Sequence, residues 1–390
     1  MDKSETVLVT GATGYIGGRL VPALVEEGYR VRVLVRDASR IEGRPWADDV
    51  EVFVGDLLKP DTLERALDGV STAYYLVHSM YGGKGFMERD RESARNFVRA
   101  GSSLRHVIYL GGLIPEAHDV SAHLASRREV GEILRAGLPV TEFRAGPIIG
   151  SGSASFEMVR YLTERLPVMT APRWIENEVE PIAVGDVLKY LTQALERKPL
   201  GVIDIGGDRL TFRDMMQGYA KVRGLRRTII TVPVLAPKLA LWVGLVTPIS
   251  NSLAVPLIEG IIHPVVGNTE RAEELFPEIN PLPYIQSVYT IRRDCDIPRS
   301  RRKDSNEVER HSGRRIILFY FGAAGAYQGE KKHLRGQPAR SRVQRFYRFG
   351  RRQGMAGLGM GLAFKRFYGQ AGRRAGTQAR EETSDGASCR

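Results

Sequence analysis

Over the first 150 positions, apolar residues gather in short runs separated by stretches of helical spacing. The first run, ETVLVT at 5–10, is short and continuous, as a strand covered on both faces of a parallel sheet requires. Similar runs follow at 31–35 (VRVLV), 50–54 (VEVFV), 72–77 (TAYYLV), 106–110 (HVIYL) and 140–143 (VTEF). After the first run Ile16, Leu20 and Leu24 recur every four residues and Gly28 supplies a stop. This spacing predicts a helix, with Pro22 inside it as a bend or a cost in stability. Residues 89–100 and 126–135 are predicted helical as well. Strands that alternate with helices imply right-handed crossovers, so the predicted fold class is α/β, a doubly wound parallel sheet of Rossmann type.

Three stretches are expected: a dinucleotide-binding domain at 1–150, substrate-side segments forming a small subdomain at 151–290, and a low-order basic tail at 291–390. With 390 residues, 43% apolar and 26% charged, the chain is not disordered throughout, collagen-like or a disulfide miniprotein. The formal charge of +12 sits in the tail, where 24 Lys and Arg face 9 Asp and Glu; the first 290 residues hold 33 against 36. Both cysteines, Cys295 and Cys389, also lie there, which leaves the body no thiol for a disulfide, a metal site or a nucleophile. No metal site is predicted, and a reducing cytoplasm is the expected compartment. The opening MDKSETVLVTG enters a strand pattern without the features of a secretory signal. The apolar stretch at 230–249 is broken by Pro233, Pro237, Lys238 and Pro248, and it reads as buried helix and loop rather than a membrane span.

The first chemistry lies where the first strand turns into the first helix. In Gly11-Ala12-Thr13-Gly14-Tyr15-Ile16-Gly17, Gly11 permits a tight turn, Gly14 lets main chain approach a diphosphate, and Gly17 allows close helix-to-strand packing. Thr13, Tyr15 and Ile16 complete this cofactor loop. The second strand ends Val35-Arg36-Asp37, with Arg36 where an NAD-selective site usually carries a carboxylate. A guanidinium suits an adenosine 2′-phosphate, with Arg40 close enough to help, so NADP is favoured over NAD. The alternative is a solvated Arg36 with Asp37 on the ribose. Asp56 and Leu57, past the third strand, are placed either to meet the adenine ring or to cap a helix.

Taken together, TGATGYIG, LVRD, Gly55-Asp56-Leu57, LVHSM at 76–80 and YLGGL at 109–113 resemble the atypical short-chain dehydrogenases/reductases with an extended-type Rossmann domain. The likeness covers about residues 5–290. The stretches 144–162 and 180–187 look like substrate-side segments of bacterial NAD(P)-binding, epimerase/dehydratase-like oxidoreductases. In active members of that group a Ser ending the fifth strand and a Tyr-x-x-x-Lys pair move the proton. This chain departs from that pattern: Gly111 and Gly112 end the fifth strand, and His123 and Arg127 stand where Tyr and Lys would be. The resemblance therefore makes His123 the candidate acid or base, with padding or capping of a helix as its alternative role, and gives Arg127 a nicotinamide ribose or a phosphate. His78 and Ser79, after the fourth strand, are expected on the nicotinamide side. SGSAS at 151–155 and Arg173-Trp174 are open between ligand contact and packing, and Asp186 reads as a helix cap.

The tail would ordinarily read as a disordered arm for nucleic acid or anionic lipid. Back-translation gives another account. Dropping one nucleotide turns Met355-Ala356 and Met360-Gly361 into Trp whatever the degenerate bases, and the shifted frame permits an amphipathic, aromatic-rich segment similar to the START-like domain of close relatives. A frameshift between about residues 289 and 329 is the expectation, and the charge then carries no information about partners, so no nucleic-acid partner is inferred. Two functions stand against each other. One is a cytoplasmic NAD(P)H-dependent oxidoreductase acting on a small organic carbonyl or quinone held by residues 144–190. The other is a non-catalytic dinucleotide-binding sensor or assembly factor, similar to the Rossmann accessory subunit of complex I, with weak membrane or complex association and no membrane span.

Overall fold

Alternate side chains of a strand point to opposite faces, and in the first strand both faces are apolar. A computed structural model describes residues 3–78, 85–117, 120–232 and 247–296. In β1 (Thr6–Thr10), Val7 and Val9 join one buried cluster and Leu8 joins another. Six further strands follow: β2 (Arg30–Val35), β3 (Glu51–Val54), β4 (Val70–Tyr75), β5 (His106–Gly112), β6 (Val140–Ala145) and β7 (Gly201–Ile205). They form one seven-stranded sheet in the order β7-β6-β5-β4-β1-β2-β3, parallel at every pairing. The order reverses between β1 and β4, and the crevice beyond the carboxyl ends of those two strands is where such sheets bind ligands.

The helices cover both faces. α1 (Gly17–Glu26) packs Leu20, Val21 and Leu24 against Val7, Val9 and Val33. Pro22 lies inside α1, yet the helix runs on to Glu26 with this apolar face buried. On the other face α2 (Pro60–Leu67), α3 (Phe86–Ala100) and α4 (Ala122–Gly137) bury Leu63, Phe97 and Leu134 against Leu8, Tyr75 and Tyr109. Each such side chain contributes about 2 kcal/mol. A separate cluster joins α5 (Ala154–Arg165), α7 (Phe212–Val222) and residues 249–291 through Phe156, Met215, Leu253 and Tyr284, while α6 (Val184–Gln193) returns to the sheet through Tyr190.

Two features depart from the sequence reading. Residues 51–54 form one of the sheet's two edge strands, and Val52 and Val54 are exposed rather than covered. The seventh strand, GVIDI, escaped the apolar-run criterion because Asp204 interrupts it; its carboxylate accepts the Asn268 N–H at 3.1 Å. Helix α8 (Asn251–Glu259), α9 (Glu270–Leu275) and α10 (Tyr284–Asp296) complete the described chain, α10 running across residue 290. Ser79, residues 233–246 of the apolar stretch, and 297–390 of the tail, to which the frameshift expectation applies, lie outside the described residues. Among the described residues no helix is long and apolar enough to cross a membrane.

Candidate functional site

The glycine turn is built from close main-chain approaches. Gly11 has φ of +73°, and a Cβ there would lie 2.6 Å from the Leu76 carbonyl oxygen, so turn and β4 exit meet backbone to backbone at the switch point. A Cβ on Gly17 would run into the Gly11 carbonyl. Gly14 donates its N–H to Gly11 O at 2.8 Å and is itself exposed. Ile16 precedes α1 with no side-chain capping bond, and the first turn of α1 carries no acidic side chain, so the positive end of the helix is left to an external anion. Bare glycine main chain and an uncapped helix start fit a dinucleotide's diphosphate.

Around that turn, Arg19 donates to Tyr15 O at 2.9 Å and Ser151 O at 3.0 Å, its guanidinium 3.9 Å from the Tyr15 ring centroid. Arg44, which the sequence reading missed, returns over the turn: Nη2 reaches Thr13 O at 3.4 Å, and Gly18 leaves it room. Arg36 and Arg40 are exposed past β2. Asp37 accepts the Ser39 N–H at 3.0 Å, and hydrogen bonding from Ser39 holds its carboxyl below the usual range. Asp56 accepts the Leu58 N–H at 3.1 Å, an Asx turn leading into α2, while the Leu57 side chain is buried in the core.

The second half of the site is made by side chains from three separate segments. His78, three residues past β4, places Nδ1 3.1 Å from Asp90 Oδ2 on α3 and Nε2 2.8 Å from His123 Nδ1 on α4. Ser126, one turn along α4, donates to the same Asp90 oxygen at 3.0 Å. The packing of α3 on α4 brings Asp90 and His123 to His78. Asp90 and His123 are buried. Burial lowers the His78 pKa against the opposing pull of Asp90, and burial with the nearby Arg127 charge pushes His123 down to about 2, so both rings are neutral near pH 7. His123 is therefore no helix cap; that bond comes from Ser121, whose hydroxyl accepts the Leu124 N–H. Arg127 does not point free: Nη2 donates to Leu110 O on β5 at 2.7 Å, and its carbonyl accepts from the Tyr109 hydroxyl at 3.0 Å.

Other singled-out residues have structural work. Asp186 is not the N-cap of α6 but lies within its first turn, taking the Leu282 N–H at 2.8 Å and Lys189 Nζ at 2.7 Å. Trp174 packs on Phe212, and Ser153 donates to Ile148 O at 2.6 Å. Among the described residues no group of three or more His, Cys, Asp or Glu is arranged to hold a metal ion.

Sheet order, crossover helices and the glycine turn define a Rossmann-type dinucleotide-binding protein. The chain belongs to the NmrA-like family, whose model matches residues 3–249. It is similar to a ceramide reductase of Caulobacter vibrioides, 30% identical over 241 residues that cover 60% of this chain and 75% of the relative. Several further relatives are matched over only about a quarter of their length. Among solved structures, the fold is similar to that of a Citrobacter sp. triphenylmethane reductase (18% identity, TM-score 0.58, covering 73% of this chain and 99% of that one). A Bacillus cereus UDP-N-acetylglucosamine 4-epimerase is also similar in fold (16%, 0.55, 74% and 98%).

Proposed function

We propose that this protein is an NADP-dependent oxidoreductase that reduces a small organic carbonyl or quinone, with His123 exchanging the proton. The observation that carries the reading is the bonded set Asp90–His78–His123, which begins two residues beyond Leu76, the residue packed against Gly11. The dinucleotide, when bound, supplies or accepts the hydride. The chain's own residues bind and orient it: main chain from Gly11 to Gly17 takes the diphosphate, Thr13, Tyr15 and Ile16 border it, and Arg36 with Arg40 take the 2′-phosphate. Asp37 is engaged with Ser39, which supports NADP over a ribose-bound NAD. His123, held against His78, is the group placed to give or take a proton. The likeness to a ceramide reductase supports reduction as the direction, and residues 144–190 are the proposed walls for the substrate. The partner is a small molecule, not nucleic acid, and the proposed compartment is the cytoplasm.

A second reading, a dinucleotide-binding sensor or assembly factor without turnover, draws on Gly111 and Gly112 in the serine position and on Arg127 turned to the Leu110 carbonyl. Calorimetry of the full chain with NADPH and NADH, followed by NADPH oxidation against aldehydes, ketones and quinones, separates the two. The oxidoreductase binds NADPH, turns over, and loses turnover but not binding in His123→Ala. Tight binding with no turnover on any acceptor selects the sensor.

A further inference from the structure

Hydrogen-bond bookkeeping in the buried set fixes where each proton sits. An ionised carboxylate has no proton to donate, so at Asp90 Oδ2 both His78 Nδ1 and Ser126 Oγ are donors. Neutral His78 then carries its proton on Nδ1 and presents Nε2 as a bare acceptor. The 2.8 Å contact between that Nε2 and His123 Nδ1 needs one proton, and only His123 is left to supply it. His123 thus also carries its proton on Nδ1, and its Nε2 is the bare end of the set. Isolated imidazole has no partner to impose such a choice; here Asp90, acting through His78, imposes it twice.

We infer that His78 and Asp90 are positioning residues of a two-histidine proton relay in which His123 exchanges a proton with substrate at Nε2 and His78 stores it. A proton taken at His123 Nε2 is matched by passage of the His123 Nδ1 proton to His78 Nε2. His123 ends neutral with its proton on Nε2, and the positive charge ends on His78, beside the Asp90 carboxylate. Reduction of a carbonyl runs the same transfers backwards from the form in which the relay has first taken one proton from water: Nε2 of His123 gives its proton to the substrate oxygen and His78 refills His123 through Nδ1, which restores the neutral resting pair. No electrons move in these steps, and the proton count closes. Among the described residues, the charged groups acting on the pair are Asp90 from α3 and Arg127 from α4, and behind these lie the phenols of Tyr75 from β4 and Tyr109 from β5. Asp90 favours charge on the rings and Arg127 opposes it, while burial raises both phenols, which stay neutral. The opposing charges on the two sides keep the stored proton releasable.

The inference rests on the oxidoreductase reading for the identity of the molecule that trades the proton, but the tautomers belong to the resting protein. Ring ¹⁵N NMR of the full chain, its seven histidines assigned through single His→Gln variants, reads them directly. Near pH 7 both rings are expected neutral with protons on Nδ1. His78→Gln, which keeps an acceptor for His123 Nδ1, is expected to keep the His123 tautomer while kcat falls ~10-fold with the KM for NADPH unchanged. His78→Leu is expected to lose the tautomer as well. In Asp90→Asn the high-pH fall in reduction rate is expected to move to lower pH, because the charge that supports the protonated relay is gone; a merely structural Asp90 would not move it. A proton on Nε2 of His123 in the resting wild-type protein overturns the relay, even where a variant fails to fold. If both rings carry Nδ1 protons but no carbonyl or quinone turns over, the relay stands and the oxidoreductase reading falls.

Discussion

Of the four carboxylates that lie almost completely buried among the described residues, Glu142 and Asp90 are made opposites by their partners. Glu142 on β6, 1% exposed, meets the guanidinium groups of Arg135 and Arg144, the latter at 2.8 Å. Gly131 and Gly111 give it room; a Cβ on Gly131 would lie 2.5 Å from Glu142 Oε2. Asp90, 3% exposed, meets an imidazole and a hydroxyl. A guanidinium does not release its proton at any pH the protein survives, so Glu142 is a clamp between α4 and the sheet. An imidazole can gain and lose a proton, at lower pH when burial depresses it as here, so Asp90 stands behind a group that can change charge. Equal burial with different partners gives a fixed joint in one place and a switch in the other.

The comparison is most exposed to test by acid. His78, His123 and His106 all have pKa values depressed by burial, His106 to about 4, with its Nε2 2.8 Å from Thr141 Oγ1. A depressed histidine stays neutral in the folded chain while the unfolded chain takes up a proton below about 6.5. Stability therefore holds above that pH, falls as pH drops from about 6.5 toward the folded values, and levels off below them. At about 1.4 kcal/mol per unit of depression, the three rings together cost several kcal/mol, measurable by urea unfolding across pH 7 to 4. His78→Gln combined with His123→Gln should flatten that fall; Glu142→Gln should leave its slope intact. Next in size, Glu142→Ala should lower the unfolding free energy by about 3 kcal/mol, since it strands two guanidinium groups, yet leave the ring ¹⁵N shifts of His78 and His123 in place. His123→Ala should reverse that pattern, with kcat down ~100-fold, NADPH affinity kept and stability little changed by comparison. The smallest effect is expected at the rim: Arg36→Asp should cut the preference for NADPH over NADH ~10-fold, read as a ratio of dissociation constants. An unchanged ratio removes Arg36 from the phosphate site.

What could be read from the sequence follows how local each feature is. All six expected strands lie within two residues of their observed ends, because a short apolar run between turn signals carries its own evidence. The glycine turn was legible for the same reason: strand, turn and helix are contiguous, and the chemistry uses main chain. Asp90 was not, although it sits in a predicted helix. Only the pairing of β4 with β5 and the packing of α3 on α4 bring residues 78, 90 and 123 together, and no spacing along the chain encodes that. His78 and His123 were each singled out separately, and the bond between them was not foreseeable. Arg127 was placed by position in a motif, but a buried carbonyl at Leu110 claims its guanidinium.

Arg19 spans from the Tyr15 carbonyl to the Ser151 carbonyl, and a side chain at Gly150 would strike the Tyr15 hydroxyl. The glycine turn and the loop at 150–153 are therefore joined as one wall. A change in either loop is thereby felt by the other, although Tyr15 and Ser151 lie far apart along the chain.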